Sequence, residues 1–159
     1  MRRLGPALVA LIAILIAVGL FAGTVRRMSF DAAMAGFGLY LPWGLFQQYL
    51  LNGYFLRRFE MALRPGAAGV LASLLFSLAH LPNWFLMPIT LVGGYAATLI
   101  YRKYRNLYFL AIAHATIGFL LFAVSPDSLI HHLRVGPGWF KDAHSVEIHA
   151  PGVRPRQGG

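Results

Sequence analysis

Five side chains able to take part in chemistry lie in the most apolar parts of this chain: Gln47, Gln48, Asn52, His80 and His114. His80 falls inside a run of 35 residues, 67–101, without one Lys, Arg, Asp or Glu. An ionisable group in hydrocarbon is costly, so it tends to face a bundle interior or a wet cavity and marks a functional site. An imidazole, neutral near pH 7, can take or give a proton and suits acid–base work. Gln48 and Asn52 are four apart and share a helix face, while Gln47 points to one side of it. The bland alternatives are a histidine that bonds a backbone carbonyl and only packs helices, and amides that join helices at about 0.6–2 kcal/mol per bond. Three clusters, the amides, His80, and His114 with Thr116 beside it, are expected to converge on one intramembrane site. Ser77, three residues before His80, and Thr116 are the hydroxyls near enough to weigh as nucleophiles.

Two histidines alone do not make a zinc site, which usually takes three or four protein ligands. There is no Cys, and the five acids, Asp31, Glu60, Asp127, Asp142 and Glu147, lie near or outside the ends of the apolar runs. A divalent metal such as zinc would rest on His80 and His114 plus a ligand from elsewhere, and no cofactor is expected. Two opposed histidines could also clamp a haem, a version that a visible absorption spectrum would test. The distal histidines, His131, His132, His144 and His149, match no zinc signature.

The elements that must position these residues are apolar runs. Only 12% of the 159 residues are charged, against about 25% in a soluble domain. The fold class expected is all-α, a polytopic bundle of about five membrane spans at 4–25, 29–56, 67–81, 84–101 and 107–124, forming one domain over 1–125. The first run has 22 residues, about 33 Å of helix and enough for a bilayer core; it also exceeds a signal-peptide core of about 7–15 residues. Gly19 and Gly23 form a small-xxx-small pair that would let another helix approach. Ser29 reads as an N-cap with Asp31 in the first turn. Pro42 should kink the second span just before the amides. The 67–101 run is too long for one span and barely enough for two, so Pro82-Asn83 reads as a recessed turn next to His80. Such a turn is tolerated only where protein covers it or it lines a cavity. Residues 126–159 are expected to form an extramembrane tail, with 129–140 at the interface and the last dozen disordered.

The net charge of +9 comes from basic residues that flank the apolar runs, which is a topology signal. Arg2, Arg3, Arg57, Arg58, Arg64, Arg102, Lys103 and Arg105 fall on one side and Arg26 and Arg27 on the other. That places the N-terminus in the cytoplasm and the lipid bilayer as the first partner, in the cytoplasmic membrane of a bacterium or archaeon. No aromatic-basic platform is present, so no nucleic acid is expected as a partner.

Order and spacing carry a family resemblance. Gln47-Gln48-Tyr49-Leu50-Leu51-Asn52-Gly53, then Phe76-x-x-x-His80, then His114-x-x-x-Gly118 resemble the three motifs of the CPBP family, the CAAX prenyl protease and bacteriocin-processing (Abi-type) intramembrane endopeptidases. The resemblance covers about 39–121. It implies a membrane-associated peptide or protein substrate, with His80, His114, Gln47, Gln48 and Asn52 in catalytic places and Phe76, Asn83 and Gly118 lining the cavity. Family members look like Glu-Glu-x-x-x-Arg in the first motif and Asn or Asp at the end of the third. Here the acids are amides, the Arg is Asn52 and the Asn is Gly118. Glutamine cannot take a proton from water, and a positioned base is worth about 10²–10⁴ in rate. The resemblance therefore leaves two expectations open: an endopeptidase with altered chemistry, or a catalytically inactive relative serving as a membrane scaffold or substrate-binding protein.

Overall fold

A computed structural model describes residues 4–140, and every regular element among them is helical. Helix α1 is Leu4–Ala22 and α2 is Phe30–Gln48. The helix then widens into a π-helical stretch, Tyr49–Leu56, and closes with α3, Arg57–Glu60. Next come α4, Pro65–Leu78, α5, Leu86–Tyr104, and α6, Leu107–Val124. A short helix α7, Asp127–Ile130, and two 3₁₀ turns, His131–Leu133 and Gly136–Phe140, complete the fold.

Local chemistry sets most boundaries. The Ser29 hydroxyl caps α2 by accepting from the Ala32 N–H at 3.2 Å, and Asp31 sits in the first turn. Asn106 caps α6 in the same way, accepting from the Phe109 N–H at 2.8 Å. Pro65 occupies the first position of α4, where a missing N–H costs nothing. α2 runs on through Pro42 without a break in its helical assignment, and a π-helical stretch follows over Tyr49–Leu56. There Leu51, Asn52 and Leu56 are buried, a spacing of four to five that fits the wider π turn.

α1 and α6 are long and apolar enough to cross a membrane; α4, at 14 residues, is shorter. α1 shows most of its side chains to its surroundings, with Phe21 98% exposed, as a lipid-facing helix would. Helices in lipid gain little from hydrophobic burial against each other, so close packing of small residues must hold them. α2 packs mainly on α6, and α4 on α5. A Cβ at Gly44 would lie 2.9 Å from the Ala111 carbonyl oxygen and 3.3 Å from the Ala115 methyl, so the α2–α6 crossing needs glycine there. A Cβ at Gly19 would lie 2.5 Å from that of Val124, which brings α1 onto α6. The α4–α5 core holds Ala68, Ala72, Phe76, Ala97 and Tyr101, joined by Leu51 and Leu56. Gly44→Ala is expected to destabilise the bundle by about 1–3 kcal/mol through overpacking; thermal unfolding in lipid nanodiscs measures it, and an unchanged midpoint would mean that the crossing gives way freely.

Ion pairs tie the bundle ends. The Arg102 Nε donates to Glu60 Oε1 at 2.6 Å and its guanidinium also reaches the Pro65 carbonyl, which joins α3, α4 and α5. At the other end Arg26 grips Asp127 with two guanidinium nitrogens, one at 2.7 Å from Oδ2, and bonds the Phe122 carbonyl at 2.6 Å. This second pair bears on residues 126–140, the described part of the expected extramembrane tail. Ile130 is fully buried, the Asn83 Nδ2 donates to the carbonyls of Ile130 (2.9 Å) and Arg134 (3.1 Å), and the Gly136 N–H donates to Leu81 O at 2.6 Å. The segment lacks a long apolar run because backbone hydrogen bonds, rather than a hydrophobic face, hold it to the α4–α5 turn. The rest of the expected tail, 141–159, with His144, His149, Asp142 and Glu147, lies outside the described residues.

The side-chain hydrogen bond from Arg26 holds the Asp127 carboxyl below its ordinary range, with His132 adding to the pull. A depressed folded value stabilises above the unfolded pKa, and the stabilisation is lost as pH falls through the folded one. The attachment of 126–140 is therefore expected to loosen on acidification below the usual carboxylate range. Asp127→Asn should remove that acid limb in amide exchange of residues 126–134. Asp127 is 39% exposed, so solvent and salt screen the effect.

Candidate functional site

Gln47, Gln48, Phe76 and both histidines meet at one partly open cavity of about 630 Å³, walled by α1, α2, α4, α5 and α6. Gln47, Gln48, Phe76, His80, His114 and Gly118 all line it. They come from separate parts of the chain. Gln47 and Gln48 end α2 where the π stretch begins, and Phe76 is in the last turn of α4. His80 is in the α4–α5 turn and His114 mid-way along α6. The Phe76 ring stands between the imidazoles, 5.0 Å from that of His80 and 6.0 Å from that of His114, edge-on to both.

The two histidines are held differently. His80 is 7% exposed, and its Nδ1 lies 2.7 Å from the Phe76 carbonyl oxygen. A carbonyl only accepts, so Nδ1 carries the proton and Nε2 keeps its lone pair. His114 Nδ1 lies 3.2 Å from Gln48 Nε2, and the Gln48 Oε1 accepts from Asn52 Nδ2 at 2.8 Å. With the amide assigned this way by its network, His114 accepts at Nδ1 and presents its proton at Nε2. The cavity then has one imidazole acceptor and one imidazole donor. Asn52 is fully buried behind Gln48 and its Oδ1 has no partner. Gln47 lines the cavity, and among the described residues its amide has no hydrogen-bond partner.

Several expected residues are placed elsewhere. Asn83 does not line the cavity: beside its two bonds to the 126–134 carbonyls, its Oδ1 caps α5 at the Leu86 N–H, 3.1 Å away. The Ser77 hydroxyl donates to the Met87 carbonyl at 2.7 Å and so ties α4 to α5. Thr116 does not line the cavity either, since its hydroxyl bonds back to Ile112 O at 2.8 Å. Neither hydroxyl is aimed at a histidine. Among the described residues no carboxylate lines the cavity: Glu60 and Asp127 are ion-paired at the bundle ends and Asp31 is in the first turn of α2. Among the described residues no group of three or more metal-ligating side chains forms. His80 and His114 thus supply two donors where zinc needs three or four, and the donor set does not fit that metal.

Two contributors escaped the sequence reading. Tyr40 lines the cavity, and a Cβ at Gly118 would be 3.2 Å from its ring, so the Tyr40 ring fills the space beside Gly118. The spacing could have shown it: Tyr40, Gly44 and Gln48 recur every four residues on one face of α2. Leu133 and Val135 also line the cavity, and nothing local in the sequence announces a contact made from so far away.

Apolar helices thus pack around one cavity that carries two histidines and a pair of amides. A family model described as Type II CAAX prenyl endopeptidase Rce1-like matches residues 10–120. The chain belongs to that family, an integral-membrane protease family, and the match takes in all three motif stretches. No curated protein and no solved structure matches the chain.

Proposed function

We propose that this protein is an intramembrane endopeptidase that cleaves a membrane-associated peptide or protein with histidines in place of a carboxylate base. The carrying observation is the opposite hydrogen bonding of the two cavity histidines, His80 through Phe76 O and His114 through Gln48. In this reading a water on His80 Nε2 loses its proton to the ring as it attacks the peptide carbonyl. The His114 Nε2–H, with the unpartnered Gln47 amide, donates to the developing oxyanion. The His80 imidazolium then returns the proton to the leaving amine. Asn52 holds Gln48, and Gln48 holds His114. No zinc takes part.

The bundle crosses the membrane five times in this reading, with α2 to α3 as the second crossing and α4 and α5 as the third and fourth. The N-terminus is cytoplasmic, by the basic residues between α2 and α4 and after α5. A cavity of about 630 Å³ is in the range of small-ligand sites, roughly 300–1,000 Å³, and admits part of a substrate rather than a folded domain.

One observation favours a second reading, a non-catalytic relative that holds membrane peptides: Gln48 is bonded on both sides by neutral groups. Purified protein in vesicles, given membrane peptides with a fluorophore and quencher across the scissile region, separates the two. Cleavage lost in His114→Ala supports the endopeptidase; peptide binding without cleavage supports the holder.

A further inference from the structure

We propose that segment 126–140 is a size-selecting wall of the cavity, in which Leu133 and Val135 limit what can lie beyond His80 and Asn83 is the positioning residue that holds them there. This rests on the cavity being the substrate site, though not on the protein being an active peptidase. The segment lies past residue 120, where the family match ends. It closes the cavity at the end that holds the α4–α5 turn: Leu133 and Val135 line the same space as His80 and Leu86.

The segment is fixed at three points. Arg26 grips Asp127 at its start. The Asn83 amide bonds Ile130 O and Arg134 O in its middle, on either side of Leu133. The Gly136 N–H bonds Leu81 O immediately after Val135. Leu81 and Asn83 are neighbours of His80, so the turn that carries the histidine also carries the wall. The fully buried Asn83 has both N–H groups and its oxygen engaged. This explains an Asn beside the site that does not face the cavity. A substrate group reaching past His80 meets two aliphatic side chains on a tethered backbone, and its bulk rather than its polarity is tested.

The chain has no cysteine, so a single reporter thiol can be read without background. Thr90 lines the cavity one turn into α5. Thr90→Cys in the full chain in nanodiscs is treated with methanethiosulfonate ethylammonium and with the same reactive group on a long polyethylene glycol. The small reagent should label and the large one should be slow. Leu133→Gly with Val135→Gly, or Asn83→Ala, should raise the large reagent's rate about tenfold or more while leaving the small reagent's nearly unchanged. Leu133→Trp should slow the small reagent. Equal large-reagent rates in all variants would overturn the proposal. So would a parallel rise for both reagents, which would mean general loosening, or no labelling by either. Labelling does not depend on cleavage, so a catalytically silent protein would still give the expected pattern.

Discussion

His80→Ala is expected to lower peptide cleavage by about 10²–10⁴, the worth of a positioned base, while the bundle stays folded. The imidazole Nδ1 is tied to Phe76 O, and among the described residues its Nε2 is the ring nitrogen in the cavity whose lone pair is left by that bonding pattern. No described carboxylate lines the cavity to replace it. The structural cost should be limited to the loss of the imidazole's bond to Phe76 O, because the Ser77–Met87 bond and Asn83 also hold the α4–α5 turn. His114→Ala should cost about 10²–10³, the loss of one oxyanion donor. Initial rates on a quenched peptide in vesicles, beside the unfolding midpoint of each variant, measure both. An unchanged rate in His80→Ala would place the base elsewhere.

Gln48→Glu should produce the largest change in stability, a loss of about 3–5 kcal/mol, because it leaves a charge buried without a partner. Gln48 is 4% exposed and its neighbours in the network are the Asn52 amide and His114. Asn52→Arg alone should cost as much, since Asn52 is fully buried and would meet a neutral amide. The double variant should regain most of the loss, with a coupling of up to about 3 kcal/mol between neighbours. Chemical unfolding of the four proteins of the cycle measures that coupling. Additive losses would mean that the neutral Gln48–Asn52 pair is not a matched replacement for a charged one. The orphaned Asn52 Oδ1 already shows that the neutral pair is imperfectly satisfied.

Residue type and spacing made the helical class and the convergence zone legible. The fifth apolar run appears as α6 with the expected ends, 107 and 124, because Asn106 and Ser125 punctuate it. The turn at Pro82-Asn83 was readable from the shortage of residues for two spans. The π stretch was not, because its signal is one buried spacing of five among apolar residues that would suit an α-helix equally. Asn83 was misread because nearness to His80 in sequence says nothing about where an amide points; its partners are some 50 residues away. Thr116 was misread for a similar reason, since a helical hydroxyl can bond back to its own turn. Segment 126–140 is held by contacts of the same long-range kind, from Arg26, Asn83 and Leu81, which composition does not announce.

The central claim is that a histidine-based site cleaves membrane proteins. Its most direct test compares the N- and C-terminal peptides of membrane proteins in the native host between wild type and His80→Ala. Specific new termini in wild type that vanish in His80→Ala are the predicted result. Identical termini in both strains, with the two proteins present at equal levels, would contradict it and leave the protein a holder of membrane peptides.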